Sequence, residues 1–249
     1  MKVAIVFAGF FRTFDYVRDS FKEYVLEKID CDVFFVAPKT SFAMPENEPK
    51  EMHHVYAQNK DLVDPSWFGD RLKAFDLIDH DAQGYKDAIV RHNISEKNNV
   101  NQYCWRILSY MHNISLSMSL FSKYVAENNT HYDAVILTRP DMKYYRSPDV
   151  SLLDMTKINF AKHSMIGDRL CTCDANPPSF HKPFNDQIVA GTQENMLLYA
   201  NIYDRVIQYH KERDISFISE TFFGVHSFAY GIDCIATDFV MYELWRNCV

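Results

Sequence analysis

The sequence predicts an α/β fold, a single domain built on a mixed central sheet flanked by helices. An apolar run at residues 2–7, a helical pattern and a second apolar run at 31–37 together make a β-α-β unit. A long helical stripe at 100–128 then feeds a third short apolar run at 134–137. Further apolar runs at 157–161, 188–190 and 234–237 are separated by helical segments, as layered helices and strands require.

The elements follow in order. Strand 2–7 empties into the turn Ala8-Gly9-Phe10-Phe11-Arg12, where Gly9 lets the backbone approach a ligand closely. A helix is expected from 13 to 28, then the strand containing Asp32-Val33-Phe34-Phe35-Val36. Residues 38–97, with Pro45, Pro49 and Pro65, read as variable loops and short helices, with one candidate strand at 53–57. The long helix carries Cys104, Ile107, Leu108, Met111, Ile114, Met118, Phe121 and Val125 on one apolar stripe, and Asn128-Asn129 supplies a left-handed stop. After the strand at 188–190, Thr192 caps a helix running to about His210, with Met196, Ala200, Tyr203, Val206 and Ile207 inward. Ser219 caps a last helix that stops at Gly231, before a terminal strand at 234–237.

With 249 residues, 47% of them apolar, the chain can bury a sizeable core. Its net charge of −7 and lack of any basic run longer than a pair argue against nucleic acid as the main partner. The apolar opening is too short for a signal peptide or a membrane span, so no transmembrane segment and a cytoplasmic location are expected. Six scattered cysteines read as reduced residues. Cys171 and Cys173, near Asp168, Asp174 and His181, have no second ligand pair at finger spacing and are not read as zinc ligands. Only seven glycines are present and no Gly-x-Gly-x-x-Gly occurs, which removes the best signature of dinucleotide and P-loop sites.

The most informative segment is Tyr132-Asp133-Ala134-Val135-Ile136-Leu137-Thr138-Arg139-Pro140-Asp141, a strand that delivers charge to its carboxyl end. Ligands of open α/β sheets bind outside those ends, so Arg139 suits a phosphate and Asp141 a divalent metal. The alternative is an ion pair between the two, and a strand-end acid is expected to contribute little to packing. Three other clusters join it: Gly9 with Arg12, Asn185-Asp186-Gln187, and Glu220 with His226. Taken singly, Gly9 can be an ordinary turn and Arg12 a helix salt bridge. Asp186 can belong to an Asx turn, Glu220 can be a helix N-terminal acid, and His226 a satisfied core histidine. Asp79-His80-Asp81 matches Asp-x-Asp but sits in a solvated segment and ranks below Asp141.

In order and spacing these pieces resemble nucleotide-sugar glycosyltransferases of the GT-A fold, particularly WavE-type lipopolysaccharide and capsule transferases and related enzymes of large DNA viruses. The resemblance rests on Ala8-Gly9 with Arg12-Thr13, Asp32-Val33-Phe34, Gln102-Tyr103 and Tyr132-Asp133 through Arg139-Pro140-Asp141. It continues with Phe184-Asn185-Asp186-Gln187, Gly191, Ser219-Glu220 and Gly231-Ile232. It spans nearly all the chain except about 38–97. It implies a GT-A-like, Rossmann-like single domain over 1–249, with a nucleotide-binding part at about 1–141 and an acceptor-side part at about 142–249.

By that resemblance, a sugar passes from a nucleotide-diphosphate donor to a glycan or glycolipid acceptor, as in polysaccharide biosynthesis, in the host cytoplasm where the source is a virus. Asp141 takes the place of the last acid of Asp-x-Asp and holds Mn²⁺ or Mg²⁺, with His226 as a second candidate metal ligand. Arg139 stands where the first acid would be. Ala8, Gly9, Arg12, Arg139 and Gln187 fall on the substrate, and Asp186 and Glu220 are the candidate catalytic carboxylates. Two rivals remain: a metal-dependent nucleotidyltransferase or phosphohydrolase, and a catalytically inactive glycan-binding scaffold.

Overall fold

The computed structural model describes residues 1–11, 13–39, 63–94, 104–166, 169–172, 186–213, 217 and 219–244, with backbone alone at 166, 169–171, 220 and 244. Strand β1 (Val3–Ala8) pairs in parallel with β2 (Cys31–Pro38) on one side and β4 (Ala134–Thr138) on the other. β3 (Leu72–Ile78) extends the parallel set beyond β2. β8 (Ile188–Gly191) then runs antiparallel to β4, and β6 (Ile158–Ile166) antiparallel to β8. β9 (Cys234–Leu244) lies parallel to β6, and β5 (Met142–Tyr144) closes the edge antiparallel to β9. The order is therefore β3-β2-β1-β4-β8-β6-β9-β5, with β7 (Arg169–Thr172) paired to β6 outside that path. This is one mixed α/β domain, as the sequence predicts.

Every residue of β1 is buried, which explains why its sequence is a continuous apolar run rather than an alternation. Ala4, Val6 and Ala8 face one core layer and Val3, Ile5 and Phe7 the other. The first layer lies under helix α3 (Cys104–Asn128), whose Leu108, Met111, Ile114, Met118 and Phe121 are buried at helical spacing. The second lies under α1 (Phe14–Phe21) and a π-helical turn at Lys22–Leu26, which present Phe14, Val17, Phe21 and Val25. Asn129 adopts φ +45, the expected left-handed stop after α3.

Several elements differ from expectation. β3 and helix α2 (Ala82–Arg91) occupy the region read as loops. β3 has no buried residue, unlike β2 beside it, as suits a strand at the sheet edge. The candidate strand at 53–57 lies outside the described residues. The single helix expected at 192–210 is two, α4 (Gln193–Ala200) and α5 (Val206–Arg213). The break has a tertiary cause: side chains from elsewhere bond the last carbonyls of α4. His226 reaches Leu198 O at 2.9 Å and Ser115 Oγ donates to Ala200 O. Helix α6 (Ser219–Ala229) follows, and Gly231 at φ +65 leads into β9.

Candidate functional site at the carboxyl edge of the sheet

Phe7 of β1 is level with Thr138 of β4, and Thr138 is level with Ile188 of β8. Because β8 is antiparallel, Asp186 and Gln187 enter the sheet where Arg139 and Asp141 leave it. The topology thus gathers Ala8, Gly9, Arg139, Asp141, Asp186 and Gln187, from three sequence-distant segments, at one edge. Gly9 has φ +125, a conformation that L side chains rarely adopt, while a Cβ there would meet only Pro140 Cδ at 3.7 Å. Conformation rather than crowding therefore requires glycine at this position.

Arg139 and Asp141 form a two-pronged pair. Nε donates to Oδ1 at 2.8 Å and Nη2 to Oδ2 at 2.6 Å. Asp141 is 1% exposed, and the Arg139 side chain keeps 20% exposure. Burial opposes the guanidinium charge, but the charge and hydrogen bonds of Asp141, with Asp186 adding to them, outweigh it and raise the Arg139 pKa above its ordinary value. Two of the five guanidinium N–H groups are engaged in this fork, leaving three.

Tyr110, which the sequence reading missed, ties the two sides together. Its ring lies 5.6 Å from the Arg139 guanidinium, within cation–π range, and its hydroxyl donates to the Asp186 carbonyl at 2.8 Å. Asp186 is 7% exposed. The Tyr110 ring also lies 6.4 Å from that of Phe223 on α6. Glu220 stands one turn before Phe223, at the start of a helix leading to a strand that runs in the direction of β4. Its backbone therefore begins at the same edge of the sheet.

His226 goes elsewhere. It is 0% exposed, with Nδ1 3.0 Å from the Tyr209 hydroxyl and Nε2 2.9 Å from the Leu198 carbonyl. A carbonyl only accepts, so Nε2 carries the proton and Nδ1 accepts from Tyr209. Burial pushes its pKa down to about 4, against the raising effect of the Leu198 bond. Both nitrogens are engaged, so the metal-ligand expectation for His226 does not fit; the residue is a packed core histidine. Both Asp141 carboxylate oxygens accept from Arg139, so a cation there would share the carboxylate with the guanidinium. Among the described residues no three His, Cys, Asp or Glu gather as a metal site. Of the two residues expected to hold Mn²⁺ or Mg²⁺, His226 does not fit, and Asp141 is shared with Arg139.

Asp79 forms a surface pair with Lys39 at 3.4 Å, and Asp81 caps α2 through Gly84 N at 2.8 Å, which accounts for two acids of Asp79-His80-Asp81. Arg12 and Asn185 lie outside the described residues. No described helix is long and apolar enough to cross a membrane. No protein-family model matches the chain, and no curated protein matches it.

Proposed function

We propose that the chain is a GT-A-like glycosyltransferase that moves a sugar from a nucleotide-diphosphate donor to a glycan or glycolipid acceptor. The observation that carries this reading is the Arg139 fork, anchored by Asp141 and Tyr110 at the carboxyl edge, with Asp186 entering beside it from β8. Departure of a nucleoside diphosphate concentrates negative charge on phosphate oxygens. A guanidinium fixed on one side by a carboxylate presents its remaining N–H groups without having to be ordered at the moment of reaction. Asp141 is in this account a positioning residue for Arg139. Asp186 contacts the donor sugar, and Glu220, at the start of α6, lies on the acceptor side, as base if the enzyme inverts.

The reading is tested by splitting transfer from hydrolysis. Asp186→Ala should impair even slow hydrolysis of the donor to free sugar, whereas Glu220→Gln should suppress transfer and leave hydrolysis and nucleotide affinity near wild type. Equal loss of both activities in both variants would show that the division of roles is wrong. Absence of turnover with a panel of nucleotide sugars, whether or not Mn²⁺ is added, would remove the enzyme reading. Arg139 in the place of the first acid favours one second reading, a glycan-binding scaffold without turnover; calorimetric binding of glycans with no turnover of nucleotide sugars would identify it.

A further inference from the structure

One side of α3 carries polar groups beyond the Tyr110 that the site described above uses. Arg106, Tyr110, Asn113 and Ser117 follow one another at spacings of four, three and four, so they form one stripe along the helix. Two points on that stripe are fixed. Ser117 Oγ accepts from Val36 N near the end of β2 at 3.1 Å, and Tyr110 donates to the Asp186 carbonyl at the mouth of the sheet. Asn113 stands between them, about one 5.4 Å turn beyond Ser117 towards the carboxyl edge. It is 1% exposed, and among the described residues neither its Nδ2 nor its Oδ1 has a hydrogen-bond partner. Ser109, one turn farther on, is 2% exposed with its hydroxyl equally unpartnered. Buried amides are nearly always paired in folded proteins, so a bare one on the way to the carboxyl edge of the sheet points to a partner that arrives with a ligand.

The surroundings indicate what that partner is. Phe10, just after β1, lies edge-on to His80, just after β3, at 4.8 Å between ring centres, and His80 lies 6.5 Å from Trp105 in the first turn of α3. Ser109 is four residues from both Trp105 and Asn113, which places the polar groups next to this ring wall. Burial holds His80 below its ordinary pKa, with Asp81 opposing, and Lys86 and Arg106 each lie 5.4 Å from the Trp105 ring centre. A flat ring with a donor and an acceptor side by side is the ligand that both surfaces suit.

We propose that Asn113 reads the hydrogen-bonding edge of a nucleobase, with Phe10, His80 and Trp105 as the ring wall beside it. The proposal rests on the nucleotide-sugar reading and adds a base-recognition residue to it. Its test is calorimetric titration of wild type and Asn113→Leu with UDP, GDP, CDP, ADP and inorganic pyrophosphate, together with thermal melts. The expected result is that the preferred nucleoside diphosphate loses at least about tenfold in affinity, the scale of one or more lost hydrogen bonds, while pyrophosphate binding is unchanged. The melting midpoint should rise, because leucine removes an unpaired buried amide. A structural role for Asn113 would instead lower the midpoint. Should the leucine variant aggregate, Asn113→Ala gives the same affinity comparison. Wild-type affinity for the preferred nucleotide in either folded variant overturns the base assignment alone. Failure of all four nucleoside diphosphates to bind wild type overturns the nucleotide reading itself, and this inference with it.

Discussion

The protein holds two buried polar clusters of opposite character: the Arg139–Asp141 pair at the mouth of the sheet, and the Tyr209–His226–Leu198 chain behind it. In the second, every imidazole nitrogen is matched and the ring is sealed from water. In the first, the carboxylate is sealed but the guanidinium is not, and it keeps N–H groups beyond the two that Asp141 takes. A polar cluster whose capacity is exhausted within the protein locks elements together, here α4, α5 and α6. A cluster held on one side and open on the other is arranged to receive a ligand.

The comparison can be broken most forcefully at Asp141. Its burial reverses the expectation of a strand-end acid with little effect on packing. Asp141→Ala leaves an uncompensated guanidinium and should cost about 3–5 kcal/mol in denaturant unfolding. Arg139→Met combined with Asp141→Leu should recover most of that loss, because no charge is left unpaired, and yet abolish nucleotide affinity. Recovery of both stability and affinity in the double variant would make the pair merely structural.

The His226 cluster is tested by acid. A histidine with a folded pKa of about 4 and an unfolded value near 6.5 binds fewer protons when folded, so its contribution is present above pH 6.5 and is lost as pH falls towards 4. The loss should be on the order of 3 kcal/mol, and His226→Gln should flatten that part of the stability profile without moving nucleotide affinity at neutral pH. A profile of unchanged slope in the variant would show that another group titrates there.

The smallest effect concerns Gly9, which shapes the open side. Gly9→Ala meets space but not conformation and should cost about 1–3 kcal/mol through backbone strain alone. A thermal midpoint equal to wild type would mean that the turn relaxes without penalty.

Much of the carboxyl edge was legible because strand, turn and charge follow one another locally. Residues 134–137 followed by Arg139 and Asp141, and Asp186-Gln187 before β8, could be located from apolar runs and what interrupts them. Tyr110 and Asn113 could not, because attention to the apolar stripe of α3 passes over residues three or four apart on its adjoining polar side. The spacing of Ser109, Asn113 and Ser117 at intervals of four was the available signal.

By itself the sequence determined the buried strands β1, β2, β4 and β8 and the long helix α3, since continuous apolar runs and helical stripes are written in nearest-neighbour order. It also determined that Gly9 and the charges after β4 stand at strand ends. Only the tertiary structure decided that Asp141 turns to Arg139 rather than outward, that His226 is enclosed by Tyr209 and Leu198, and that α4 breaks where α3 and α6 bond its last carbonyls. The last two join residues far apart in the chain, and the first, though local, depends on the fold that buries Asp141 beside Arg139. Hydrogen-bond pairing in a dry interior is set by three-dimensional neighbours, which residue types and spacing leave open.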